Sequence, residues 1–208
     1  MAVLITLPHG ATPTGDGEHN SDIGALKFLP FLEDALEAMD IPYTSIVGDV
    51  NRDILDLNRL RAHSHPWVIE VRKAMLEAEI HIDLHSYPKV SEPQKTSTNY
   101  DLLVWSQHTV VLFNTPEITD QALLRSIESG LEEVAIPTAE EQGGFENYLS
   151  NLASVLMDLP SVLIEVNEGE SQNYPLIASG VAVGILNHLD FLGAPLPLDD
   201  EPLPAEHA

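Results

Sequence analysis

The sequence predicts a three-layer α/β/α domain built on a mixed, mostly parallel sheet. Three observations predict it. Short apolar runs of strand length alternate with stretches of helical period along the chain. The 208 residues are 44% hydrophobic and 20% charged, enough apolar matter for one buried core. Histidine and glutamate stand in or at the ends of the strand-like runs, the edge of an open α/β sheet where sites gather.

Val3 to Leu7 is an apolar run that stops at Pro8-His9-Gly10, as a buried strand stops at a loop. From Ser21 to Met39 the apolar residues Ile23, Leu26, Leu29, Leu32, Leu36 and Met39 recur at helical spacing, with Asn20 or Ser21 as the expected cap and a kink expected at Pro30. Thr44 to Val47 reads as a second strand, Pro66 to Ala78 as a helix opened by its proline, and Glu79 to Leu84 as a strand ending at His85. Leu102 to Phe113 is expected to form one or two strands. A helix capped by Thr119 and closed by Gly130 follows, then another from Phe145 to Met157. Ser161 to Val166 is a last buried strand and Leu176 to Phe191 a closing helix with small residues for close packing. Residues 193–208 are acidic and proline-rich without apolar period, so they read as a disordered tail after one domain over residues 1–192.

The formal net charge of −24 repels phosphate backbones and anionic lipid, and no run of lysine or arginine offsets it. Nucleic-acid and membrane-surface partners are thereby excluded as expectations. With no cysteine, disulfide scaffolds and thiolate chemistry drop out, leaving His, Asp and Glu as metal ligands. The first residues lack the basic start of a secretion signal, and glycines break the longest apolar stretch, so a soluble, cytoplasmic protein is expected. The acidity also fits a saline habitat.

His9 follows the first strand, His85 ends the third, and Glu165 lies within the last. A histidine held at a strand end offers zinc a neutral ring nitrogen, if a carboxylate or carbonyl holds the other. Asp83, two residues before His85, points to the same side. A lone histidine there more often satisfies a local hydrogen bond, and two weaken that alternative. A catalytic zinc takes three protein ligands and keeps one position for water. Glu18, in the loop after His9, is the expected third, with Asp16 and His19 as neighbours; its plain alternative is an exposed loop acid. Arg52, Arg59 and Arg61 bring three of nine cations close together, which points to an anion site in which the planar fork grips a carboxylate or an oxyanion. Internal pairing with Asp49, Asp53 and Asp56 is the competing reading. Glu165 between Ile164 and Val166 is costly to bury without a purpose, and burial tunes a carboxyl towards a general base.

His9, Asp-Leu-Asn-Arg at 56–59, Leu-His-Ser-Tyr at 84–87 and Ile-Glu-Val at 164–166 stand in the order found in zinc carboxypeptidases. The sequence resembles that superfamily, which includes the metallocarboxypeptidases, the aspartoacylase and succinylglutamate desuccinylase branch and the N-formylglutamate amidohydrolases. The likeness is scattered over residues 3 to 191. It implies a carboxypeptidase-like fold, zinc on His9 and His85, Asn58 and Arg59 as the substrate and oxyanion pair, and Glu165 as general base. The family's His-x-x-Glu is absent, since Thr12 stands third after His9, so Glu18 takes the remaining ligand position by default. Tyr148 is the best positional match to the family's mobile substrate-closing tyrosine, with Tyr87 and Tyr100 as substitutes. The implied activity is zinc-dependent hydrolysis of an amide or peptide bond in a carboxylate-bearing substrate. An N-formylglutamate amidohydrolase-like deacylase and a non-catalytic carboxylate-binding module on the same fold are the competing expectations.

Overall fold

A computed structural model of the chain describes residues 2–11, 22–96, 99–143 and 147–193. The expected helix caps Asn20 and Ser21, the ligand candidates Asp16, Glu18 and His19, and residues 194–208 lie outside the described residues.

Six strands form one sheet in the order β2-β1-β3-β6-β4-β5. β1 (Val3–Leu7), β2 (Tyr43–Val47), β3 (Ile80–Tyr87) and β6 (Ser161–Asn167) are mutually parallel, while β4 (Val110–Phe113) runs antiparallel to β6 and parallel to β5 (Thr138–Glu141). Helices α1 (Ile23–Ala38), α4 (Gln121–Glu133) and α6 (Tyr174–Gly193) cover one face; α2 (Pro66–Met75) and the short α5 (Tyr148–Asn151), continued by a π-turn over Leu152–Leu156, lie on the other. The sheet is mixed and mostly parallel, as expected.

Side chains alternate across a strand, so each strand feeds both layers. Val3, Ile5, Leu7, Ile80, Ile82, Leu84, Val162, Ile164 and Val166 pack into the larger core with α1, α4 and α6. Leu4 faces α2 and α5 instead, with Trp67, Val68, Val71, Leu149 and Leu152. α4 and α6 meet at glycines: a Cβ on Gly130 would collide with the Gly180 carbonyl oxygen and with the Gly184 backbone. That close approach explains why α4 runs through Gly130, where the sequence predicts its end, and stops at Val134. α6 has the length and apolarity of a membrane span, yet Ile177, Ala178, Val181, Ala182 and Ile185 are buried in the core.

Other differences have local causes. Asp101 accepts hydrogen bonds from the Leu103 and Val104 amides, which turns the start of the expected strand into the helical turn α3 (Leu102–Trp105). Asp120, not Thr119, caps α4 through the Leu123 amide, while the Thr119 hydroxyl donates to the Phe113 carbonyl. β5 is acid-rich and without apolar alternation; it exists because β4 leaves an edge open for Thr138–Glu141 to pair with. α1 is continuous through the exposed Pro30.

Candidate metal centre

The site lies at the carboxyl ends of β1 and β3. Beyond β1 the chain leaves the sheet at His9, and after residues 12–21 it returns where the Asp22 amide donates to the His9 carbonyl at 3.0 Å. Asp22 stands at the N-cap position of α1, but its carboxylate bonds none of the helix amides. Instead Oδ2 lies 3.2 Å from His9 Nδ1 and 2.8 Å from His85 Nδ1. One ligand atom from each of His9, Asp22 and His85 falls within 4.8 Å of the others, all three residues buried. The imidazole rings meet edge to face, 5.0 Å between centroids.

The second nitrogen of each ring faces another carboxylate. His9 Nε2 is 2.8 Å from Asp56 Oδ1, and His85 Nε2 is 3.3 Å from Asp83 Oδ1. With a carboxylate behind each ring at Nε2, the Nδ1 atoms facing Asp22 are the nitrogens that would hold a metal. The donor set, two imidazole nitrogens and one carboxylate oxygen, suits zinc. Electrostatics agree with an anionic pocket closed by histidine. Burial opposes ionisation of Asp22, but the charge of His9 and hydrogen bonds from both histidines outweigh it and hold its carboxyl below the usual range. Burial likewise opposes ionisation of Asp56, overcome by His9 with Arg59 and Arg52. For His85, burial disfavours the cation, yet Asp83 and Asp22 raise its pKa well above the ordinary value.

Glu165 pairs with His85 in the β3–β6 register, so it stands beside the cluster on the same face, half-buried. Burial pushes its pKa up to about 8, with Asp22 and Asp83 adding to the rise and His85 and Arg52 opposing it. The arginines separate by role. Arg52 reaches both carboxylates, 3.9 Å from Asp22 and 3.5 Å from Asp56, and is 21% exposed. Arg59 lies 3.6 Å from Asp56 and donates to the Asn58 carbonyl and Asn147 Oδ1, binding the loop to the start of α5. Internal pairing therefore takes up much of the cluster's charge. Arg61 is exposed on a 3-10 turn, Leu60–Ala62.

Asn58, expected at the substrate, is fully buried beneath the site. Its side-chain nitrogen donates to Asp83 Oδ2 at 3.0 Å and lies 3.1 Å from His85 Nε2, and its oxygen accepts from the Leu149 amide at 2.9 Å. The short backbone turn from Asp56, whose Oδ1 accepts from the Asn58 amide, sends this side chain inward. Tyr148 is half-buried at the start of α5 and packs on the apolar cluster under α2, its amide bonded to the Asn58 carbonyl. Asp22 is the residue that sequence reasoning missed. The available signal was an acid at the start of the first helix after the strand that carries His9, a position where the helix N-terminus itself favours a carboxylate.

No family model matches the sequence, and no curated protein does. Solved structures match by fold. A metallo-carboxypeptidase from Burkholderia cenocepacia superposes with a TM-score of 0.58 at 13% identity over 92% of this chain and 57% of its own. N-formylglutamate amidohydrolase from Ralstonia eutropha gives 0.55 at 13% identity over 92% and 93%. The catalytic domain of an N-acetylmuramoyl-L-alanine amidase from Bacillus (Paenibacillus) polymyxa gives 0.58 at 15% identity over 91% and 98%. The fold of this chain is therefore the α/β fold that these structures share.

Proposed function

We propose that the protein is a zinc-dependent hydrolase of an amide or peptide bond in a carboxylate-bearing substrate, either a C-terminal peptide bond or an N-acyl amino acid. One observation carries the reading: His9 Nδ1, Asp22 Oδ2 and His85 Nδ1 converge, with Asp56 and Asp83 behind the two rings. Asp22 takes the ligand position expected of Glu18. Zinc bound by these three groups would supply Lewis acidity, bringing the pKa of a water towards about 7 and polarising the scissile carbonyl.

The chain's own groups do the rest. Glu165 is the general base: its carboxylate takes the proton of the attacking water and then delivers it to the leaving nitrogen. Burial raises its pKa to about 8, and the positive charge of a bound metal would shift it back down towards the range a general base needs near neutral pH. Arg52, nearest the cluster of the three arginines and partly exposed, offers its outer N–H groups to the oxyanion. Arg59 keeps the Asp56 carboxylate on His9, and Arg61 stands outside as the group for a substrate carboxylate. The likeness in fold to a carboxypeptidase, an N-formylglutamate amidohydrolase and an amidase supports amide chemistry, and the specific substrate belongs to the loops.

The test combines metal analysis with substrate screening. Purified protein is expected to carry about one zinc per chain and to hydrolyse peptides with a free C-terminus or N-acylated amino acids. Glu165→Gln is expected to keep zinc and fold while losing about 10²–10⁴-fold in turnover. Failure to hold zinc, or unchanged turnover in the variant, overturns the respective part.

A further inference from the structure

Below the candidate metal centre, the site-facing side of the sheet carries a line of polar side chains buried away from the surface. Thr6 on β1, His81 and Asp83 on β3 and Ser161 on β6 are all buried, the first three completely. Ser161 Oγ is 2.9 Å from His81 Nδ1, His81 Nε2 is 2.8 Å from Thr6 Oγ1, and Thr6 Oγ1 is 3.1 Å from Asp83 Oδ1. The line ends at His85, whose Nε2 faces the same Asp83 oxygen at 3.3 Å. The strand register makes it: His81 lies opposite Ser161, and Thr6 opposite Asp83.

Counting hydrogens gives the line a direction. An ionised carboxylate only accepts, so Thr6 spends its single hydrogen on Asp83. The Thr6 oxygen must then receive a hydrogen from His81 Nε2. Burial pushes the His81 pKa down to about 4, so near neutral pH the ring has one hydrogen only. With that hydrogen on Nε2, Nδ1 accepts from the Ser161 hydroxyl. Asp83 accepts from Thr6, Asn58 and Ser150, the last at 2.9 Å, and its Oδ1 stands 3.3 Å behind His85 Nε2, which the Asn58 amide nitrogen also approaches at 3.1 Å. Reversing His81 would leave the Thr6 and Asp83 oxygens facing one another with no hydrogen between them.

From this one-way chain we infer that Thr6, His81 and Ser161 are positioning residues for the candidate metal centre: acting through Asp83, they fix the carboxylate behind His85 Nε2 and so keep the ring turned with Nδ1 towards His9 and Asp22. The inference rests on the zinc reading above. It adds three residues that touch neither metal nor substrate, and it gives the buried histidine of β3 a task distinct from ligation.

Two measurements test it, after zinc titration of the wild type. If the wild type binds no zinc, the proposed function fails and this inference fails with it. If zinc binds, long-range proton–nitrogen correlation spectra of histidine-labelled wild-type protein report the His81 tautomer, and Nε2–H is expected. Nδ1–H would overturn the chain while leaving the zinc hydrolase standing. This measurement needs no variant. In chelator competition, Thr6→Val is expected to weaken zinc about 10–100-fold, and Thr6→Ser, which restores the hydroxyl, to stay within about threefold of wild type. Wild-type affinity in a folded Thr6→Val protein would reduce the line to structural packing and overturn the positioning role.

Discussion

The two faces of the central sheet are made from the same strands and solve opposite problems. In β3, Ile80, Ile82 and Leu84 point to α1, α4 and α6, while His81, Asp83 and His85 point to the side of α2 and α5. All six are buried. On the first face, stability comes from apolar area removed from water and is insensitive to the details of partnering. On the second, every polar group must find its partner, and Asp83, with Thr6, Asn58, Ser150 and His85 about it, does. The contrast teaches that alternating polarity in a strand marks two environments, and that the polar one need not be solvent.

The largest expected effect breaks the polar face at its centre. Asp22→Asn removes the carboxylate that both histidines share and the ligand proposed for it, so zinc affinity is expected to fall by more than about 100-fold, beyond the usual cost of altering an outer carboxylate. Chelator competition with a zinc-sensitive dye measures it; an affinity within a few-fold of wild type would remove Asp22 from the ligand set. On the apolar face, Ile82→Ala opens a cavity in the core and is expected to cost about 2–5 kcal/mol of stability. Zinc per folded chain should stay at about one, so denaturant melts move while metal content does not. A loss of zinc from folded Ile82→Ala would show that the two faces are not separable.

The smallest effect is one of pH. In the metal-free protein Glu165 has its pKa raised from 4.5 to about 8, chiefly by burial, so the folded state disfavours its ionised form. Stability attached to this group is therefore present below about pH 4.5 and lost as pH rises through about 8. Glu165→Gln is free of that penalty. The difference in melting temperature, variant minus wild type without metal, is expected to grow in the variant's favour from pH 5 to pH 9. A constant difference across that window would mean that Glu165 ionises as freely in the folded chain as in the unfolded one.

Much of the fold was legible because local pattern and tertiary environment agree. Val3 to Leu7 and Ser161 to Val166 are apolar runs of strand length and become central strands, and the apolar period from Ile23 to Leu36 becomes α1. Where local signal was weak, packing decided: Thr138–Glu141 is a strand only because β4 has an open edge, and Gly130 lies within α4 because Gly180 and Gly184 press against it. The residues of the candidate site divide in the same way. His9, His85 and Glu165 stood out as ionisable groups in or at the ends of strand-like runs, and the structure gathers them at one end of the sheet.

What the sequence by itself determined was the alternation of elements, the sheet type and the chemical kinds available to a site without cysteine, since those follow from side-chain period and composition. Tertiary structure alone decided which acid meets the two histidines and which way each asparagine and arginine turns. Asp22 is 13 residues from His9 and 63 from His85, and no local pattern encodes that meeting. It arises because parallel strands place their carboxyl ends side by side, and because the chain leaving β1 must return to start α1 at that same edge. The burial of Asn58 and the direction of the hydrogen-bonded line from Ser161 to His85 depend likewise on strand register, in which a shift of one residue would turn the whole polar set towards the apolar core.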